Sequence, residues 1–253
     1  HFLKRKFFIK NKVFEYYSSP LFTDYEFKHA FFTKSSSENH LPLLSEYFNK
    51  NFKDCILNQI HSNKITFASN FKKGIRIEGD GIISNKSKHN LWIYTADCIP
   101  ILFADKQKRF VAAIHCGRKG LEKKILKKII RIFDDLGSSK NDLIVAIGPS
   151  ISCKNYLVNE KIFKEFNENI SNRKVEYSVK NKLNLFNFNT SKRDFSYELD
   201  LKKNAHLQLL DEKIPNKNIE ISNLCTYDSK KEFHSYRRNK TKLRQWNFIC
   251  TES

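Results

Sequence analysis

Three short segments each carry an apolar run to a residue able to bind a metal or attack a substrate: Asn58-Gln59-Ile60-His61, Thr95-Ala96-Asp97-Cys98-Ile99-Pro100 and Ala113-Ile114-His115-Cys116-Gly117. Two imidazoles and one thiolate make a borderline-soft donor set that suits Zn²⁺, and three protein ligands leave a fourth position for water or substrate. Coordination would also hold Cys98 as its thiolate. Taken singly, each residue has a packing reading as well, because a buried cysteine commonly serves as a small hydrophobe. No short pair such as HxxxH fixes two ligands on one element, so spacing leaves both readings open. Asp97 is a candidate acid/base group or orienter of a histidine, although strand alternation would turn it away from Cys98. Asp80, in Gly79-Asp80-Gly81, is open in the same way.

Such groups must be held by rigid elements, and strand ends are where scaffolds present them. Leu91 to Tyr94, Ile99 to Ala104 and Phe110 to Ile114 are short, β-branched or aromatic, and bounded by polar residues, which predicts buried strands. Apolar residues at helical spacing from Leu121 to Leu136 predict one helix, closed by Gly137. Leu143 to Ile147 reads as a strand, Glu160 to Phe166 as a short helix, and Asp200 as the cap of a helix reaching Asp211. Ile219 to Cys225 reads as a further strand. Ser35 to Asn39 and Lys86 to Asn90 are polar and turn-like, and Glu168 to Lys192 is a polar, Asn-rich stretch. Strand clusters with a few intervening helices indicate a single α+β domain over residues 1–253, with mixed sheets packed against helices.

Composition narrows the function classes. The chain of 253 residues carries 40% hydrophobic residues, enough for a sizeable core, and no apolar run long enough to cross a bilayer. HFLKRKFFIK lacks an apolar stretch followed by a small-residue cleavage site, so a cytoplasmic protein is expected. The six cysteines include no CxxC pair, and free thiols are expected. A net charge of +19 suits polyanions, but the lysines are dispersed from end to end rather than gathered into a groove. Specific nucleic-acid binding and a membrane partner are therefore not expected; an anionic small substrate is compatible with the charge.

The runs LWIYTADCIPILFAD, VAAIHCGRKG, VAIGPSISCKNYLV and CTYDSKKEFHSYRRNKTKLRQ, with LNQIHS and EGDGIIS upstream, resemble in order and spacing the laccase-domain family, often labelled polyphenol oxidase and including purine nucleoside phosphorylases. The resemblance covers roughly Phe31 to Gln245. It implies an α+β domain with zinc on His61, Cys98 and His115, and phosphorolysis of adenosine, inosine, guanosine and methylthioadenosine beside adenosine deamination. Copper-dependent phenol oxidation is the family's older label. That label is disfavoured by eight histidines with no HxH pair. A non-catalytic, metal-stabilised nucleotide-binding module is the third reading. Phosphorolysis needs cations at the phosphate, for which Lys34, Lys119, Arg237 and Arg238 are the candidates, with the arginine forks favoured. Gln59 would hydrogen-bond a purine edge or close a strand. The chain departs from the family's HAGWRG at Cys116, Arg118 and Lys119, and from its Thr-Arg-Gly-Gly loop at Lys34 to Ser36. Cys116 is expected to be a packing residue.

Overall fold

The computed structural model describes residues 1–170, 183–184 and 195–251. Two large mixed sheets lie face to face. One orders its seven strands Leu3–Ile9, Lys12–Ser18, His29–Phe32, Gln245–Cys250, His89–Thr95, Lys53–Asn58 and Ile77–Glu78. The other has six, in the order Ile219–Ile221, Leu143–Ile147, Ile99–Asp105, Val111–Cys116, Gly81–Ser84 and Ile65–Phe67. A small sheet of Leu157–Asn159, Phe195–Glu198 and Leu183–Asn184 stands apart.

Strand alternation builds three apolar layers from these sheets. Leu91 and Ile93 meet Leu102, Ala104, Ala113 and Ile144 between the sheets. On the outer face of the six-stranded sheet, Ile101, Phe103, Ala112 and Val145 pack on Leu126, Ile129 and Phe133 of helix Ile125–Asp135 and on Ala205 and Leu209 of helix Leu201–Asp211. Phe32, Trp92, Trp246 and Phe248 cover the opposite outer face, with Leu44 of helix Leu41–Asn49. The small residues Ala104, Ala113 and Ala146 all fall on the inner layer, where they let the sheets approach closely.

The expected strands at Leu91 to Tyr94, Ile99 to Ala104, Phe110 to Ile114 and Leu143 to Ile147 are present, and Asp200 caps its helix by accepting from the Lys203 N–H at 2.9 Å. The helix expected over Leu121 to Leu136 is two helices, Arg118–Glu122 and Ile125–Asp135. Lys124 breaks them apart in the left-handed region at φ 56°, while Leu121 and Ile125 still reach the same core, so the apolar pattern runs unbroken across the joint. His89 and Asn90, expected in a surface loop, instead open a buried strand. The strand expected over Ile219 to Cys225 stops at Ile221, with an isolated bridge from Cys225 to Ser150. The helix expected to end at Phe166 continues to Ile170, and most of the Asn-rich stretch from Glu168 to Lys192 lies outside the described residues. All six cysteines are free thiols.

His29 ties the start of the strand His29–Phe32 to the segment from Ser19 to Phe27 that leads into it. Its Nε2 accepts from the Ser19 N–H at 2.7 Å, and its Nδ1–H donates to the Phe27 carbonyl at 2.8 Å. Burial lowers its pKa from 6.5 to about 4. The folded state therefore favours neutral His29. That preference contributes fully above pH 6.5, is lost as pH falls toward 4, and is worth about 3 kcal/mol. Denaturant titrations of wild type and His29→Leu should show the variant roughly 2 kcal/mol less stable at pH 7.5. Because wild type alone loses about 3 kcal/mol as pH falls from 6.5 to 4, that gap should close and then reverse; a gap constant across this range would contradict the assignment.

Candidate metal centre

Three crossovers between the two sheets converge at one end of the sandwich. His61 lies between Lys53–Asn58 and Ile65–Phe67, Asp80 between Ile77–Glu78 and Gly81–Ser84, and Cys98 between His89–Thr95 and Ile99–Asp105. His115 arrives from within the six-stranded sheet, on Val111–Cys116. The ligand atoms of His61, Cys98 and His115 all lie within 4.8 Å of one another, with Cys98 Sγ 3.9 Å from His61 Nε2.

Asp80 is fully buried and organises this convergence. Its Oδ1 accepts from His115 Nδ1–H at 2.8 Å and from the His61 N–H at 3.0 Å, while Oδ2 accepts from the N–H and hydroxyl of Ser62. The first bond fixes the His115 tautomer and leaves Nε2 as its ligand atom. The second holds His61 in the left-handed region at φ 56°, which costs a non-glycine residue about 1 kcal/mol when unsupported. Burial works against the Asp80 carboxylate, but these donors, His115 foremost, hold its pKa down to about 2.

The trio fits a metal on two grounds. Zinc at about 2.3 Å from sulfur and 2.0 Å from nitrogen sets neighbouring donors roughly 3.5 Å apart, so only a contraction on the order of 1 Å is needed. The backbone also leaves a cradle: a Cβ on Gly117 would sit 2.7 Å from Cys98 Sγ and 3.6 Å from His61 Cδ2. Burial alone would raise the Cys98 thiol, yet the imidazoles of His115 and His61 bring its pKa down to about 6. Burial would lower His115, but the Cys98 thiolate and Asp80 raise it to about 9. A thiolate poised between two imidazoles is the form in which cysteine binds metal. Cys116 points into the helix-side core, fully buried, as a packing residue.

Above the trio opens a cavity of about 680 Å³ walled by Tyr94, Tyr156, Tyr236, Arg237, Lys240 and Arg244. Gln59 lines it too, but spends its amide on the backbone of Tyr94, donating to the carbonyl at 2.8 Å and accepting from the N–H at 2.9 Å. Asp97, at φ 98°, accepts from the Thr226 hydroxyl at 2.7 Å, the Ser235 hydroxyl at 3.0 Å and the Arg237 N–H at 2.7 Å. Of the four cations singled out in the sequence, Arg237 alone lines the cavity. Arg238 donates to the carbonyls of Thr226, Tyr227 and Phe233, Lys34 to that of Lys230, and Lys119 is exposed elsewhere. Tyr156, Tyr236, Lys240 and Arg244 were not singled out in the sequence as site residues, although they lie in the runs VAIGPSISCKNYLV and CTYDSKKEFHSYRRNKTKLRQ that carry the resemblance.

Fold and site together define an α+β protein with a His/Cys/His centre at the floor of an aromatic, cationic cleft. The chain belongs to the multi-copper polyphenol oxidoreductase laccase family, whose model matches residues 34–252. A purine nucleoside phosphorylase of Synechocystis is 29% identical over 88% of this chain and 89% of its own length. One from Clostridium acetobutylicum is 32% identical over 81% and 80%. YlmD of Geobacillus stearothermophilus shares the fold with a TM-score of 0.78 at 21% identity, covering 98% of this chain and 99% of its own. A Bacillus licheniformis protein, YfiH, does so with 0.76 at 22%, covering 94% and 96%.

Two substitutions separate the roles of cradle and clamp. Gly117→Ala should leave the fold intact while its Cβ displaces Cys98 Sγ, and Asp80→Asn should free both histidines. Each should weaken zinc binding by about ten- to a hundred-fold in competition with a chromophoric chelator. Wild-type affinity in either folded variant would contradict the geometry.

Proposed function

We propose that the chain is a zinc-dependent purine nucleoside phosphorylase acting on adenosine, inosine, guanosine and methylthioadenosine in the cytoplasm, with adenosine deamination as a second reaction of the same centre. One observation carries the reading: the His61, Cys98 and His115 trio floors a cavity whose walls are tyrosines and cations. The names of the relatives in Synechocystis and Clostridium acetobutylicum support it.

A bound zinc would supply Lewis acidity and an acidified water. The residues of the chain do the rest. Tyr94, Tyr156 and Tyr236 offer faces on which a purine can stack, and their apolar bodies exclude water from it. In phosphorolysis a phosphate oxygen forms a bond to C1′ as the bond from C1′ to the purine nitrogen breaks. The electron pair leaves with the base, which takes up a proton. Positive charge developing on the sugar is met by the phosphate, and the phosphate by cations, so Arg237 is assigned to substrate and Arg238 to holding its own loop. Gln59 acts by fixing Tyr94, and Asp97 by fixing the N-terminus of the segment that carries Arg237. Both are positioning residues.

The family's name keeps copper and phenol oxidation as the competing reading. Metal analysis of the purified protein should give close to one zinc per chain, matching the single ligand trio among the described residues. Incubation with inosine or adenosine should release free base and ribose 1-phosphate only when phosphate is present, and chelation or Cys98→Ala should abolish it. Copper in place of zinc, with oxygen consumed on a phenol, would replace this reading. So would tight purine binding without product, which would make the protein a binding module.

A further inference from the structure

The cavity carries a second chemistry besides the trio. Arg237, Lys240 and Arg244 line it together with the metal trio, and among the described residues none of these cations has a carboxylate partner. Asp97 is the one acid on the described lining, and its oxygens are taken by Thr226, Ser235 and the Arg237 N–H. Cations gathered on a concave surface without counter-charge raise the local potential, and low-dielectric aromatic walls focus it. The Tyr236 ring has Lys240 Nζ 5.0 Å and Arg244 Cζ 5.8 Å from its centroid, and Arg237 Cζ lies 4.7 Å from the Tyr156 centroid. Both guanidinium groups are anchored through one nitrogen. Arg237 Nη1–H donates to the Leu157 carbonyl, and Arg244 Nη1–H to those of Thr241 and Leu243. Their remaining N–H groups have no partner among the described residues. Forks anchored on one side and open on the other are arranged in advance for an oxyanion.

We propose that Arg237, Lys240 and Arg244 form a subsite for a phosphate dianion, filled by inorganic phosphate as co-substrate while the nucleoside occupies the metal end. The choice of anion rests on the phosphorolysis reading; the existence of the subsite rests on the charge and geometry. Lys34, Lys119 and Arg238 are excluded from it by their positions and carbonyl partners.

Equilibrium dialysis with radiolabelled phosphate, on zinc-loaded wild type and the variants Lys240→Ala, Arg244→Ala and Arg244→Lys, tests the subsite without turnover. Loss of one charge-assisted contact should weaken phosphate binding by about ten- to a hundred-fold in each alanine variant, at unchanged zinc content and thermal midpoint. Arg244→Lys should recover part of the loss. Lys50→Ala, an exposed cation outside the cavity, should bind as wild type does. Wild type that binds no phosphate, or folded, zinc-loaded alanine variants that bind it as wild type does, would overturn the subsite. Phosphate binding that these cations control, without phosphorolysis, would keep the subsite and remove the phosphorylase reading. Phosphorolysis with an unchanged phosphate KM in both alanine variants would do the reverse. Inosine 5′-monophosphate serves as a separate arm. If it binds more tightly than inosine, through the same cations, the phosphate belongs to the substrate and the co-substrate assignment falls.

Discussion

A carboxylate that must stay charged inside the protein constrains the whole site. Asp80 has no exposed surface, and a buried charge survives only where donors surround it. Its donors are the parts of the chain that a metal needs held: the ring of His115, the backbone of His61 and the turn at Ser62. Satisfying Asp80 and positioning the two histidines of the trio are one condition. The two sheets meet that condition because the crossovers bearing Asp80 and His61 pass from one sheet to the other at the same end. Asp80 also accepts, through its backbone carbonyl, the N–H of His115 at 2.8 Å, so two bonds link the same pair of residues. Rotating either away would orphan a buried ion as well as a ligand.

The elements around this point were legible in the sequence to the degree that burial leaves a local mark. Strands Ile99–Asp105 and Leu143–Ile147 are covered on both faces and read as continuous apolar runs. Asp200 announces its helix by a side chain that bonds only its own turn. The joint at Lys124 left no mark, because both flanking helices face one core. Nor did the hairpin of Leu3–Ile9 and Lys12–Ser18, whose charged outer residues hide the two buried phenylalanines, Phe7 and Phe14. For the site, the His61, Cys98 and His115 trio was found by the ordered motifs around it. Asp80 was weighed and left open, since nothing local says that its turn meets His115. Lys240 and Arg244 were invisible for a different reason: in a chain with 46 lysines and arginines, no single cation stands out until folding places it.

The distinction between total and local charge explains why +19 says so little by itself. Exposed lysines at separations beyond roughly 8 Å are screened from one another at physiological salt, and pairs such as Lys10 with Glu46 contribute little. Inside the cavity the same charges act differently. The tyrosine walls displace water, and the backbone carbonyls that anchor Arg237 and Arg244 fix the direction of the charge without neutralising it. Arg238 is the counterexample in the same run: with its fork committed to three carbonyls, it supports the loop and offers little to a ligand.

Asp97 ties the loop of Cys98 to the C-terminal segment. It precedes the candidate metal ligand Cys98 in sequence, yet its oxygens reach Thr226, Ser235 and the N–H of Arg237, all on the C-terminal segment that carries the cations. Holding it at φ 98° is costly for a residue with a Cβ, and the three bonds offset that cost. The loop that carries Cys98 and the segment that carries Arg237 are thereby tied together through one residue with little freedom of its own. A floor organised by Asp80 and a wall tied to the Cys98 loop by Asp97 hold the trio and the segment bearing Arg237 in one fixed relation.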